Sequence, residues 1–396
     1  MKIGMILDQE FPPDPRVKNE AISLIKGGHE VFLFCLHYGS QKQKENIEDM
    51  QVRRYVSNNL EYKLSALAYT FPFYKFAMFS KIKHFILENN IEILHVHDIR
   101  IASAVFKANK KFKLKVVLDL HENRPEIMKY YPHLSQFPGN VLISPKKWKQ
   151  QEEKFIKNAN NVIVVTHEAK REILSRVPVA ENKITIIPNT VRKTFYEDFY
   201  LSAEITQKYA GKFVLLYIGD TGLRRGLVTV IKSLKTVIKE IATLKLVIVG
   251  KNSSDSVLKD LVHDLELEAF VDFEGWQEPK LFQSYITASA ICVSPLHRNL
   301  HHDTTYANKI FQYMSLRKPL LVSDAIAQKV LVEKVNAGLV HLEKDVEDFS
   351  NKVLKLYYNE NLREDLGSNG ENFIKNEFSW EQTSKTLIYL YNNVQS

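Results

Sequence analysis

Residues 213–218 read Phe213-Val214-Leu215-Leu216-Tyr217-Ile218, followed by Gly219-Asp220-Thr221-Gly222-Leu223-Arg224-Arg225-Gly226 and an apolar-periodic segment from Val228 to Ile241. Six uninterrupted apolar residues stopped by glycine predict a strand buried on both faces. The helix-period segment behind them predicts the crossover of a parallel sheet. The chain repeats this unit in both directions. Downstream the runs are Leu244–Val249, Val271–Phe273, Ile291–Ser294, Pro319–Val322 and Leu339–Leu342. Upstream they are Lys2–Leu7, Val31–Leu36, Val52–Val56, Ile93–Val96, Val116–Leu120, Val162–Val165 and Ile184–Ile187, with amphipathic segments such as Arg16–Lys26 and Glu152–Asn158 between them. The fold class is α/β, with two wound sheets. At about 150 residues per domain, 396 residues require two. The polar stretch Thr194–Ala210 reads as the linker, so one domain covers 1–192 and the other 193–379. A last helix within 380–396, bearing Leu387, Tyr389, Leu390 and Tyr391, must bury its apolar face elsewhere.

Composition narrows the class. Hydrophobic residues at 45% and charged residues at 25% exclude a disordered chain. Cys35 and Cys292, the two cysteines, sit in apolar runs and read as buried free thiols in a reducing compartment. The N-terminal apolar run is too short for a signal peptide, and Leu64–Phe79 is interrupted by Pro72 and Lys75, too short to span a bilayer. Residues 1–190 hold 29 Lys and Arg against 20 Asp and Glu, whereas the remainder holds 25 against 26. The basic half predicts either an acidic partner or a solvated basic surface. Between Tyr62 and Phe85 aromatics alternate with Lys63, Lys75, Lys81 and Lys83, a pattern that suits both an interfacial membrane contact and a helix packed on a sheet with lysines reaching outward. A cytoplasmic protein, peripheral at the inner membrane face, is the expectation.

Ligands of wound sheets sit where strands enter helices. Gly219, Gly222 and Gly226 allow tight turns, and Arg224 and Arg225 precede a helix start, which together favour an anion such as phosphate. The spacing matches neither a dinucleotide fingerprint nor a P-loop. After Val293-Ser294-Pro295, the segment His301-His302-Asp303-Thr304-Thr305-Tyr306-Ala307-Asn308-Lys309 offers Thr304 or Thr305 as an N-cap, with amides from Ala307 onward open to a ligand; Asn308 and Gln312 share one helix face. His121 and Glu122 emerge just past a buried strand, where an imidazole could orient or accept a proton from a hydroxyl. Asp14 and Arg16 sit on a loop stiffened by Pro12, Pro13 and Pro15 and suit a polar acceptor or an ordinary turn. His95 and His97 alternate on a strand face beside Asp98, but without an HExxH or CxxC they read as core or supporting histidines rather than metal ligands. No nucleophile elbow is present, and no cysteine lies in an electropositive loop.

Taken together, these residues resemble the retaining family 4 glycosyltransferases of GT-B fold. The likeness lies in Asp14-Pro15-Arg16-Val17-Lys18-Asn19-Glu20-Ala21, Gly28-His29-Glu30-Val31, His95-Val96-His97-Asp98, Asp119-Leu120-His121-Glu122 and Ile187-Pro188-Asn189. It continues in Tyr217-Ile218-Gly219, Arg225-Gly226, Ile248-Val249-Gly250, the run from Asn308 to Met314, Lys318-Pro319, Ser323-Asp324 and Phe378-Ser379-Trp380. The resemblance implies two Rossmann-like domains facing across a cleft, with the nucleotide-sugar on the C-terminal domain, the acceptor on the N-terminal one, and the last helix crossing back. It also implies no metal and no cofactor beyond the nucleotide-sugar substrate. Two departures stand out. The family's pair of glutamates is replaced by Thr304 and Gln312, and its usual arginine after Gly219 by Asp220.

The expected activity is transfer of a sugar from a nucleoside diphosphate to a hydroxyl of a growing, lipid-linked surface polysaccharide. His121, Arg225 and Lys309 are the expected catalytic residues. Gly219, Gly222, Arg224, Arg225, Thr304, Thr305, Tyr306, Ala307, Asn308, Lys309 and Gln312 would bind the donor, and Asp14, Arg16 and Glu122 the acceptor. Nucleic acid is not an expected partner: the basic half has no RRM, zinc or helix-turn-helix signature. A UDP-sugar epimerase of the same fold and a non-catalytic sugar-nucleotide-binding subunit are the alternatives.

Overall fold

The computed structural model describes residues 1–39, 41–131, 134 and 136–394. The chain divides into two compact units, Met1–Asn189 with Ser384–Ser396, and Thr190–Thr383.

The first unit is built on eight strands: β1 (Lys2–Ile6), β2 (Glu30–His37), β3 (Lys44–Ile47), β4 (Met50–Val56), β5 (Ile93–His97), β6 (Lys115–Leu120), β7 (Asn161–Val164) and β8 (Ile184–Ile186). Their order is β3-β4-β2-β1-β5-β6-β7-β8, and every pairing is parallel except β3 with β4. That pair is a hairpin whose two turn residues, Glu48 and Asp49, are left-handed (φ 50° and 66°), as a two-residue hairpin turn requires. Strand β3 had no apolar run to reveal it, because it is a half-exposed edge strand with charged residues.

The second unit holds β9 (Phe213–Ile218), β10 (Leu244–Val249), β11 (Val271–Gly275), β12 (Ile291–Ser294), β13 (Leu320–Ser323) and β14 (Gly338–His341), all parallel, in the order β11-β10-β9-β12-β13-β14. The stretch read as a linker is structured. Helices Thr194–Glu197 and Ala203–Lys208 bury Tyr196, Ile205 and Tyr209 beside Val214 and Leu216 of β9. Apolar residues there are sparse but fall where a helix can aim them inward, which composition alone does not reveal.

The last helix, Trp380–Val394, leaves the second unit and packs its end on the first, from Ser384 onward. Leu387, Leu390, Tyr391 and Val394 are buried, whereas Tyr389 faces solvent. The Tyr391 hydroxyl lies 2.7 Å from Nδ1 of His95 on β5, and Ile388 sits so close to Gly27 that a Cβ there would approach its Cγ2 to 3.2 Å. No helix among the described residues is long and apolar enough to cross a membrane.

Each sheet has one point where the winding reverses: between β1 and β5 in the first, between β9 and β12 in the second. Loops leaving the carboxyl ends of these strands diverge and open a crevice, the usual ligand position in wound sheets.

Candidate functional site

At the second sheet's reversal point the backbone is drawn tight. Gly219 (φ 127°) ends β9, and a Cβ on Gly250 would lie 1.8 Å from the Gly219 carbonyl oxygen. Gly226 (φ 81°) passes so close to the loop after β12 that a Cβ would meet the Pro295 carbonyl oxygen at 1.7 Å. Only glycine fits either position. Between them Asp220 organises the turn: Oδ1 accepts from Asn252 Nδ2 (2.5 Å) and the Gly222 amide (3.2 Å), and Oδ2 accepts from Arg225 Nε (3.2 Å). Arg224 lies 3.9 Å from the same oxygen and reaches Nε2 of His302 at 3.3 Å.

Lys309 comes to this turn from the other loop. Its Nζ lies 3.4 Å from the centre of the Tyr217 ring, whose hydroxyl donates to the Asp220 carbonyl (2.6 Å). No carboxylate among the described residues lies within 4 Å of that ammonium. Burial and the neighbouring Arg225 charge hold its pKa well below the ordinary lysine value. Burial also keeps His301 and His302 neutral, pushed down to about 2 and about 3. Gly219, Gly222, Arg224, Arg225 and Lys309 therefore stand together around Asp220.

The rest of the segment departs from the expected cap. Thr304 is the last residue of helix Leu300–Thr304, which Asn299 caps, and its hydroxyl donates back to the Leu300 carbonyl (2.6 Å). The Thr305 hydroxyl donates to the His301 carbonyl (2.7 Å). Both are buried and spent on the helix behind them, because a threonine at a helix end readily satisfies a carbonyl four residues back. Helix Lys309–Ser315 starts at Asn308 without a side-chain cap. Tyr306 and Ala307 pack against the core, Tyr306 edge-on to Phe311. Asn308 is exposed and Gln312 half-exposed.

In the first unit the expected residues fall into a buried network. Arg16 donates through Nε and Nη2 to both oxygens of Asp119 (3.0 and 2.8 Å), lies 2.9 Å from Glu20 Oε1, and donates through Nη1 to the Ile187 carbonyl. Its side chain is 4% exposed. The guanidinium thus compensates two desolvated carboxylates inside the network. Asp14 caps helix Pro15–Lys26 through the Val17 amide and accepts from Gln9 Nε2. Glu122 stands exposed, 3.8 Å from Arg124.

His95 and His97 are fully buried and stacked, and with Glu20 and Asp119 they bring four ligand-type atoms within 4.8 Å of one another. His121 alone of these three imidazoles reaches the surface, 18% exposed, with Nδ1 3.2 Å from Asp119 Oδ2. Burial disfavours its charged form, but the hydrogen bond and charge of Asp119 outweigh burial and raise its pKa to about 9. Burial raises Glu20 to about 8 against the pull of Arg16, while Asp119, although buried, is held well below the ordinary range by Arg16 and His121. His95 drops to about 4 through burial and the neighbouring His97.

Asp119, Glu20, Asp220 and Asn252 were not named as site residues from the sequence, Asp220 being noted only where the family has arginine. Signals existed for two: Glu20 is four residues from Arg16 on one helix face, and Asp119 shares a strand face with His121. Asn252 carries no such pattern.

Residues 16–194 match the family described as Glycosyltransferase Family 4, and residues 201–373 that described as Glycosyl transferases group 1. The capsular polysaccharide biosynthesis glycosyltransferase CapM of Staphylococcus aureus is 23% identical over 242 residues. That match covers 59% of this chain and 62% of CapM, under two thirds of the relative's length. Among solved structures, a sucrose-phosphate synthase from Thermosynechococcus elongatus superposes with a TM-score of 0.81 at 17% identity, covering 99% of this chain and 98% of that one. Anabaena HepE in complex with UDP-glucose superposes with a TM-score of 0.73 at 14% identity, over 99% of both chains.

Proposed function

This chain belongs to the group 1, family 4 glycosyltransferases of GT-B fold, and on that premise we propose that it is a retaining enzyme moving a sugar from a nucleoside diphosphate to a hydroxyl of a growing, lipid-linked surface polysaccharide. The observation that carries this reading is the gathering of cations at the second sheet's reversal point: Arg224 and Arg225 lie within 4 Å of Asp220, and Lys309 joins them with no carboxylate that close among the described residues. A partly buried cation without its own counter-charge is costly and is stabilised by an incoming anion. As the glycosidic bond breaks, negative charge grows on the departing diphosphate, and Lys309 with the two arginines stabilises that charge more than it does the ground state.

Gly219 and Gly222 let the backbone approach the phosphates, and Asn308 and Gln312 present amides for the donor's hydroxyls. His121, held by Asp119 through Nδ1, presents Nε2 to the sugar or to the attacking hydroxyl. Retention follows when that hydroxyl approaches the face the diphosphate leaves. HepE's complex with UDP-glucose supports a UDP-sugar donor, and the name of CapM supports a polysaccharide acceptor.

Phe73 and Phe76 stand exposed on helix Phe73–Asn89, with Lys107 3.7 Å above the Phe76 ring. Aromatics ringed by lysines suit peripheral contact with an anionic bilayer. Salt-sensitive co-sedimentation with anionic vesicles is the expected result. The central test is a thermal-shift screen of nucleotide-sugars followed by transfer assays with the best binder. A donor raises the midpoint because it binds only the folded state, and absence of any stabilising nucleotide-sugar overturns the reading. The Thr304 hydroxyl, turned onto a helix carbonyl, and the uncharged Gln312 favour one second reading, a subunit that binds the donor without turning it over. Donor binding without transfer or donor loss would select it.

A further inference from the structure

The first sheet's reversal point opens onto a cavity of about 540 Å³ whose lining includes Lys63, Ala66, Arg100, Arg124, Ile143 and Trp148. That volume lies in the usual range of ligand pockets, about 300–1,000 Å³. One side is apolar: Ala66 from helix Asn59–Ala66, Ile143, and Trp148 from helix Pro145–Asn158. The other side is cationic. Arg100, in the loop after β5, donates Nε and Nη2 to Asp8 beyond β1 (2.5 and 2.7 Å), and Arg124, three residues past His121, donates Nε to Asp98 (2.5 Å).

These pairs fix both guanidiniums while leaving the Nη1 edge of each without an acceptor among the described residues. Lys63 adds a charge with no carboxylate of its own among those residues. Trp148 is buried, and its Nε1–H has no hydrogen-bond partner among the described residues. Buried donors of this kind are normally satisfied. Tyr62, which also lines the cavity, and Leu60 beyond it, both on the same helix as Ala66, are exposed, as is Val141 on the short helix just before Ile143.

We propose that this cavity binds an anionic amphiphile, a phosphate or diphosphate ester of a long apolar alcohol. Its head accepts from Lys63, Arg100 and Arg124, and its chain runs along Ala66, Ile143 and Trp148 toward Leu60 and Val141. A free anion would have no use for the apolar wall. A neutral lipid would leave the free donor edges of Arg100 and Arg124 covered without an acceptor and the Lys63 charge unmatched. Guanidiniums preset by their own carboxylates lose little freedom on binding a phosphate. The identification of this amphiphile as the acceptor carrier rests on the glycosyltransferase reading; the binding site does not.

The test is calorimetric titration of the full chain with geranyl diphosphate, inorganic diphosphate and decyl glucoside. Geranyl diphosphate should bind at least tenfold more tightly than either of the others. Equal binding of inorganic diphosphate or of decyl glucoside, or no binding of geranyl diphosphate, overturns the proposal. Ala66→Trp should fill the cavity and weaken geranyl diphosphate at least tenfold. Should Ala66→Trp fail to fold, Lys63→Glu, an exposed site, should weaken it several-fold, and wild-type affinity in the folded variant overturns the assignment. A parallel titration of the wild type with UDP-glucose and other nucleotide-sugars separates the two readings. Amphiphile binding without any nucleotide-sugar leaves this site standing and removes the glycosyltransferase reading; the converse removes this site alone.

Discussion

The two sheets reverse their winding in the same way, yet the charges gathered at the two points differ in kind. At the first reversal point three arginines each have a carboxylate within 3 Å: Arg16 with Asp119, Arg100 with Asp8, Arg124 with Asp98. At the second, Arg224 and Arg225 both face Asp220, and Lys309 has no carboxylate within 4 Å among the described residues. Paired charges in a desolvated setting position the backbone and one another, and removing one partner leaves an uncompensated charge. Surplus charges contribute little to folding and wait for an external anion. The same topology thus presets its arginines with carboxylates at one point and gathers less compensated cations at the other.

The sharpest way to break this comparison is Arg16→Met. Stranding Asp119 and Glu20 should destabilise the first unit by about 3–5 kcal/mol, visible as a lowered denaturant midpoint and loss of amide protection on β1, β5 and β6. A fully stable variant would show that the network is dispensable. Arg225→Ala tests the opposite character: the transfer barrier should rise by about 2–4 kcal/mol, as for loss of one oxyanion donor, with the melting midpoint nearly unchanged. An unaltered rate removes Arg225 from the site.

The pH dependence sharpens the contrast. His121, facing Asp119, Arg16, His97 and Asp98, has its folded pKa raised from 6.5 to about 9. Its contribution is therefore complete below pH 6.5 and lost as the pH rises through 9, on the order of 3 kcal/mol. Glu20, raised to about 8, acts in the same direction. His95, lowered to about 4, acts oppositely, its contribution being lost as the pH falls from 6.5 through 4. Together these groups should make the first unit most stable at mildly acid pH, below 6.5, and His121→Asn should flatten the alkaline limb of a denaturant titration series. The smallest effect is expected for Tyr391→Phe, which removes one buried hydrogen bond to His95, about 1 kcal/mol. Local amide exchange in the last helix would report it, and unchanged exchange would show that apolar packing alone holds that helix.

Much of this was legible in the chain. The strands Phe213–Ile218, Leu244–Val249 and Ile291–Ser294 carry the same limits in sequence and structure, because a strand covered on both faces announces itself as an apolar run. The cationic turn after Gly219 was legible from glycine spacing. Thr304 and Thr305 misled, since a threonine before a helix and one ending the helix before it look alike in sequence. The cavity residues were not singled out as a set: Lys63, Arg100, Arg124 and Trp148 are scattered over 86 positions of chain.

The amino-acid order by itself determined which segments are buried strands, where glycine admits tight turns, and which loops carry cations; each is a local consequence of side-chain size, polarity and φ. Tertiary structure alone decided the pairings. Arg16 meets Asp119 across 103 residues and Tyr391 meets His95 across 296. Burial dictates that a charge or hydroxyl must find a partner, but the identity of that partner depends on which strand ends the winding brings side by side.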